Sequence, residues 1–584
     1  MAKAIYICTR NNFLTSIEKR LHNICNNLAP DNISAPAPKV VVNGNIAYGI
    51  MNPTSSIMER GNSLLMGQLF EEQDRWEEPL QDFPDGSYAL FRDGKEYCEI
   101  VSDPIGSRAI WYYMDNEIFV SSTSQRAIIM FIGSFVFDER VIPWILSSGS
   151  LGPILSWDKR IERVPIDASV ILDKNKWSIS KKVRPIEFNL SEKSDEQHEA
   201  LLREKLETTF KSLNLDYSSW VLPLSGGYDS RGIFCMIRNA GKNIEHLKTI
   251  TWGLESSLHV KGNDAYIAKE LVNMLKVSHK YYPTDISSEE SIDTIVNRFL
   301  LCSEGRIDHL SGYMDGLKIW KTLFENSVQG IIRGDEAFGW VPVSSHVRAR
   351  QSAGWNLCSD FSNLKNYKDY GFAVQELPQY FNRKKGETLA TWRDRLIQIY
   401  GLPNMWSSLS DLKLSYVELI NPLLSRKILQ QVRELPDHLR TEKALFKKIV
   451  TSISPMVDFA TKNDGANASL NNILRQEKIT TMLKKELSSN NAKSIFPAEF
   501  LDYILAGIKT ERQIKTNKSS LTSLKSSIKR IAPIPIINAI QFIKNAMRQA
   551  RGLPSIDHNR LAFRVFLICR MHTILHDDST SVSR

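Results

Sequence analysis

The sequence has no CxxC pair and no run of about 18 apolar residues. It also has no internal repeat of 20–50 residues. Its seven cysteines (8, 25, 98, 235, 302, 358 and 569) are scattered and odd in number. That pattern argues against a zinc site or a disulfide framework and predicts reduced thiols in the cytoplasm. The longest apolar run, Ala127 to Phe137, is too short to span a bilayer, and Lys3, Arg10 and Asn11 interrupt any signal-peptide pattern. Neither GxxxxGK[ST] nor GxGxxG occurs, which excludes the common triphosphate and dinucleotide loops. GxSxG is missing as well, so a serine hydrolase is not expected. What remains, at 584 residues with 42% hydrophobic and 24% charged, is an ordinary globular composition with room for two to four domains.

Charge divides the chain unevenly. Residues 471–584 hold 19 Lys and Arg against 8 Asp and Glu, leaving 55 against 57 for the rest. This basic segment reads either as a solvated helical face or as a surface that steers an acidic partner. No nucleic acid partner is expected. Residues 1–190 are β-rich, with short apolar runs at Ala4–Cys8, Lys39–Val42, Ser87–Phe91 and Ile118–Ser121 separated by turn signals. After the polar stretch Ser191–Gln197, residues 198–470 alternate strand and helix patterns, which predicts a parallel sheet. Strands are expected at Trp220–Leu224, Leu247–Trp252 and Val328–Ile332. From Leu412 onward the pattern is mostly helical, and residues 471–584 form a basic, mostly helical extension. Within it, Ile531–Ala550 reads as an amphipathic or packing helix. His572 and His576, beside Asp577 and Asp578, have the spacing of a metal clip on a helix or belong to a solvated polar turn.

The most informative segment is Leu224-Ser225-Gly226-Gly227-Tyr228-Asp229-Ser230-Arg231, placed between a strand and a helix. Paired glycines let a backbone approach an anion closely, and successive amides form a concave nest. The helix start adds its positive dipole end. Ser225 and Ser230 supply hydroxyls, and Asp229 has the oxygen donors for a phosphate-bridging divalent cation. The plain alternative is a Gly-Gly turn with Asp229 and Ser230 as caps.

SGGxDS resembles the pyrophosphate loop of N-type ATP pyrophosphatases, and its surroundings resemble the asparagine synthetase superfamily from about residue 1 to about 470. Asp85-Gly86-Ser87-Tyr88-Ala89 and Asp103-Pro104-Ile105-Gly106 with Trp111-Tyr112-Tyr113 are similar to motifs of its class II glutamine-amidotransferase domain. Thr251-Trp252-Gly253, Asn263-Asp264-Ala265-Tyr266, Gly334-Asp335-Glu336-Ala337-Phe338-Gly339 and Val417-Glu418 with Asn421-Pro422-Leu423-Leu424 resemble synthetase-domain motifs. Lys443 stands where a KxxLR motif begins, and Lys462 where a later lysine follows. The resemblance implies an α+β Ntn-hydrolase-like sandwich (1–190), then an α/β ATP-pyrophosphatase domain (198–470) with a helical C-terminal part. It further implies ATP and Mg²⁺: a carboxylate attacks the α-phosphorus, pyrophosphate leaves, and an amine displaces AMP. Leu224, Ser225, Gly226, Gly227, Asp229, Ser230, Thr251 and Gly334 would bind ATP and pyrophosphate. Asp229 and Asp335 would share Mg²⁺, and Lys462 with Asp335 would be catalytic.

Two features depart from that pattern. Glutamine-dependent members expose an N-terminal cysteine, whereas this chain begins Met1-Ala2-Lys3 and its first cysteine is the internal Cys8. An internal thiol lacks the free α-amino base, so glutaminase activity is expected to be lost. The glutamate that ammonia-using members carry three residues before the aspartate is also missing; Ile332 and Arg333 occupy that neighbourhood. The group that accepts the amine proton stays open among Glu304, Asp308 and Tyr313. Loss of the cysteine is shared with β-lactam synthetases and lasso-peptide macrolactam cyclases. The expected substrate is therefore a peptide or small-molecule carboxylate, with a precursor peptide and a processing protease as partners. Amidation of aspartate or a sugar acid, and a non-catalytic nucleotide-binding scaffold, are the alternatives.

Overall fold

The computed structural model describes residues 3–13, 16–53, 56–461, 469–513 and 553–581. Twelve strands build the first part. They are Ala4–Thr9 (β1), Lys39–Asn43 (β2), Ile46–Ile50 (β3), Ile57–Arg60 (β4), Ser63–Leu69 (β5) and Gly86–Asp93 (β6). Tyr97–Ser102 (β7), Trp111–Met114 (β8), Ile118–Ser122 (β9), Glu162–Arg163 (β10), Ala168–Asp173 (β11) and Ser178–Val183 (β12) follow. They form two antiparallel sheets, ordered β10-β8-β9-β1-β3-β2 and β12-β11-β7-β6-β5-β4. β1 is central and apolar on both faces because both faces are covered. Ile5 and Ile7 pack with the helices Ile17–Leu28 and Gln125–Ile132, while Ala4, Tyr6 and Cys8 face the second sheet.

The second part is a five-stranded parallel sheet of Trp220–Pro223 (β13), Lys248–Gly253 (β14), His279–Pro283 (β15), Gly330–Ile332 (β16) and Glu418–Ile420 (β17). Its order is β15-β14-β13-β16-β17. The chain runs outward from β13 through β14 to β15, then crosses back to β16 and β17. The order therefore reverses between β13 and β16, the place where ligands bind in open α/β sheets. The three expected strands are β13, β14 and β16. The helical pattern expected from Leu412 onward is broken by β17. That strand is three residues long, and its Glu418 is buried against Arg108 of the first part. β15 was not legible either, since the edge sequence His-Lys-Tyr-Tyr-Pro carries no apolar run.

The two parts share contacts that the motifs explain. Asp85 accepts the Ser425 hydroxyl at 2.6 Å and the Arg426 amide at 2.8 Å, capping the helix Arg426–Glu434. Arg426 donates back to the carbonyls of Phe83 and Pro84 and to Asp167. The C-terminal helix His558–Ser581 packs on Gln125–Ile132. It is held there by Arg126 on Asp578 at 2.7 Å and by Arg564 on Asp308 at 2.7 Å. The polar turn read for His572 and His576 is corrected: both lie on this helix, and the His572 ring meets Phe135 and Phe137 edge-on. Ile531–Ala550 falls outside the described residues. All seven cysteines are free and buried, and no described helix is long and apolar enough to cross a membrane.

Candidate active site

Leu224 is buried, and its amide continues the ladder to the Ile250 carbonyl at 2.8 Å. Beyond it the chain turns through Ser225, Gly226 and Gly227 into the helix Tyr228–Asn239. Gly227 is that helix's N-cap and supplies no side-chain acceptor, so first-turn donors stay directed at the loop. The loop's hydroxyls hold its own shape. The Ser225 amide donates to Ser230 Oγ at 2.9 Å, and the Gly227 amide donates to Ser225 Oγ at 3.2 Å. Thr251, expected to bind ATP, donates its hydroxyl to the Leu224 carbonyl and ties the loop to β14.

Gly226 is fixed by close approach. A Cβ there would sit 2.8 Å from Cβ of Ala460 and of Ile267. The Ala460 amide also donates to the Gly226 carbonyl at 2.9 Å. Gly226→Ala is expected to cost about 1–3 kcal/mol through overpacking and to weaken ATP binding. Denaturant unfolding and nucleotide titration would check both; a neutral alanine would contradict the packing.

The second loop follows β16. A Cβ on Gly334 would lie 3.3 Å from Cβ of Asp229 and from the Ser230 amide nitrogen, so the two loops touch. Lys443 joins them. Its Nζ lies 2.8 and 2.9 Å from the two Asp229 oxygens and 2.8 Å from Glu336 Oε1. Burial raises the Glu336 carboxyl to about 7; Asp229 adds repulsion, and Lys443 opposes both. Asp264, nearby, is also shifted upward by burial, partly offset by the Gly226 amide. Asp335 turns instead to Arg333 at 2.7 Å.

The structure thus brings Leu224, Ser225, Gly226, Gly227, Asp229, Ser230, Thr251 and Gly334 together, with Asp335 on the adjoining loop. Lys462 lies outside the described residues. The chain just before it is pinned to the site: Phe459 stacks on Tyr228 at 3.8 Å, and Arg231 donates to the carbonyls of Val457 and Asp458. Glu336 and Lys443 are the members that sequence reasoning left without a role. Lys443 had only its motif position as a signal, because its partners lie more than 100 residues away.

Among the described residues, no three His, Cys, Asp or Glu side chains gather as in a closed metal site. Asp229 and Glu336 offer hard oxygen donors beside a backbone anion nest, with Asp335 next to Glu336 in the chain but paired to Arg333; Mg²⁺ carried on phosphates takes one or two such carboxylates. Cys8 does not fit a nucleophile: burial pushes its thiol up to about 12. Purified protein given glutamine is therefore expected to release no glutamate above background. Release that disappears in Cys8→Ser would overturn that expectation.

No protein-family model matches the sequence, and comparison with curated proteins gives no match.

Proposed function

We propose that this chain is an ATP- and Mg²⁺-dependent, AMP-forming amide ligase of the asparagine synthetase type. Its preferred substrate class is a peptide closed on itself through an amide, as in lasso-type macrolactam cyclases. The observation that carries the reading is the position of the SGGYDS and GDEAFG loops. They follow β13 and β16, the two strands flanking the switch point of the parallel sheet, and Lys443 bridges their carboxylates. That crevice suits a nucleotide phosphate chain. A half-buried Asp–Lys–Glu group is also costly for a scaffold with no chemistry to perform.

In this reading the loop amides hold the β- and γ-phosphates while a substrate carboxylate attacks the α-phosphorus. Mg²⁺ supplies charge neutralisation on the departing pyrophosphate. Asp229 and Asp335 are the residues that would hold it. Lys462 would meet the charge that develops as the amine displaces AMP. The internal, buried Cys8 supports an amine that comes from the substrate and not from glutamine. The buried thiols support a cytoplasmic location.

The test is acyl-adenylate trapping. Protein, ATP, Mg²⁺ and hydroxylamine are incubated with linear peptides bearing Asp or Glu, with free aspartate, or with uronic acids. Hydroxamate from peptides alone is the expected result. Hydroxamate from aspartate or uronic acids would move the substrate class, and ATP binding without turnover would favour a scaffold.

A further inference from the structure

A cavity of about 450 Å³ opens where β12 and the chain after β10 meet helix Leu389–Leu396 and its continuation Ile397–Trp406. That volume is in the range of small-molecule sites. The walls are apolar, with Val164, Ile166 and Val183 from the first part and Phe381, Ile399 and Pro403 from the second. No residue of the SGGYDS or GDEAFG loop lines it, so it lies apart from the candidate active site.

The walls carry local features that packing alone does not call for. Ile154 lines the cavity with 58% of its surface exposed and φ at +57°, a left-handed backbone that β-branched residues rarely adopt. Strain of that kind gathers at ligand sites. Val183 and Tyr380 are also more than half exposed, so a patch of apolar surface meets water here. Across from them, Ile397–Trp406 is wound as a wide π-helix with Pro403 inside it, a winding frequent at functional sites.

Charge indicates what the occupant carries. The Arg163 guanidinium donates to Asn404 Oδ1 at 3.1 Å and to the Pro403 carbonyl at 2.6 Å, and it lies 5.6 Å from the Trp111 ring centre. Those bonds leave other N–H groups of its fork unused. Among the described residues no carboxylate stands within ion-pair distance of it; Asp411, the acid that most favours its charge, is already taken by Arg306. The other cations at the cavity are matched. Arg395 holds Glu387 at 2.7 Å, Lys384 holds Glu187 at 3.4 Å, and Arg184 holds Asp82 at 3.2 Å. An unpaired guanidinium against an apolar wall is costly, and a carboxylate matches its fork.

We propose that this cavity binds a small carboxylic acid with an apolar body, its acid group on Arg163 and its body along Ile154, Val183 and Ile399. Such a ligand touches both parts of the chain and ties them together. The site stands whatever reaction the two loops perform.

Decanoate is the probe, titrated into full-length protein below its micelle concentration and followed by calorimetry and thermal melting. Decanamide is its uncharged counterpart. Decanoate is expected to bind and to raise the melting temperature, and decanamide to bind about 10–100-fold more weakly, the worth of a charge-assisted hydrogen bond. Arg163→Gln should remove the difference between the two probes. Because Arg163 also holds Asn404 and Pro403, Ile154→Asp is the second variant and leaves those bonds alone. Aspartate accepts a positive φ more readily than isoleucine, so this variant should melt like wild type. Its added like charge should weaken decanoate binding by about tenfold or more. Equal affinity for the two probes, or decanoate binding unchanged in both variants, would overturn the proposal. Decanoate that neither binds nor shifts the melt would overturn it too, and binding of an apolar peptide with a free carboxylate in its place would make this face a peptide groove instead.

Discussion

Asp229→Asn is expected to lower substrate-dependent AMP formation by about 10²–10³-fold or more, the range for losing one preorganised electrostatic contact, while the protein stays folded. The side chain keeps its shape, and its amide oxygen still reaches Lys443, so the loop loses charge without losing volume. Asp229 is also partly open to solvent, at 29% of its side chain, so little folding energy depends on its ionised form. What disappears is an anionic oxygen beside the phosphate nest, where a divalent cation would be held. Radiolabelled AMP and a thermal melt measure the two halves of the expectation. Wild-type AMP formation in the variant would remove Asp229 from the site.

Lys443→Met should show the opposite balance, with a large cost to folding. Its ammonium lies between Asp229 and Glu336, and Glu336 is only 5% exposed. Removing one partner of a buried pair costs about 3–5 kcal/mol. The loss should depend on pH with a definite sign. Glu336 is raised from 4.5 to about 7 in the folded protein. Between those values the folded state holds its proton more tightly than the unfolded chain. Its contribution to stability is full below pH 4.5 and is lost as pH rises through 7. Without Lys443 the carboxyl shifts further up. The variant should therefore lose about 3 kcal/mol or more at pH 8, and clearly less at pH 6, where Glu336 takes up a proton. Urea unfolding at the two pH values decides this. An equal loss at both would mean that the Lys443–Glu336 pair does not carry the effect.

The parts of the fold that could be read in the sequence are those written locally. β13, the glycine loop and the helix after it occupy 20 consecutive residues, Trp220–Asn239, and each step has its own chemical signature. β16 and the GDEAFG loop are legible for the same reason. β17 was hidden because three residues cannot display a period, and its Glu418 is explained only by Arg108, 310 residues earlier. The active-site charges divide in the same way. Asp229 and Asp335 sit in recognisable strings, whereas Lys443 is an ordinary lysine until tertiary packing sets it between Asp229 and Glu336. The C-terminal helix is similar. A basic extension on paper, it is fastened through Arg126–Asp578 and Arg564–Asp308 to elements more than 200 residues away.

The central claim is that ATP is cleaved between the α- and β-phosphates by a carboxylate. The direct measurement is product analysis with α-³²P-labelled ATP, Mg²⁺ and the mixture of acidic peptides, aspartate and uronic acids. Labelled AMP together with an equal amount of pyrophosphate, dependent on the carboxylates and missing in Asp229→Asn, is the predicted result. Labelled ADP with inorganic phosphate would contradict it.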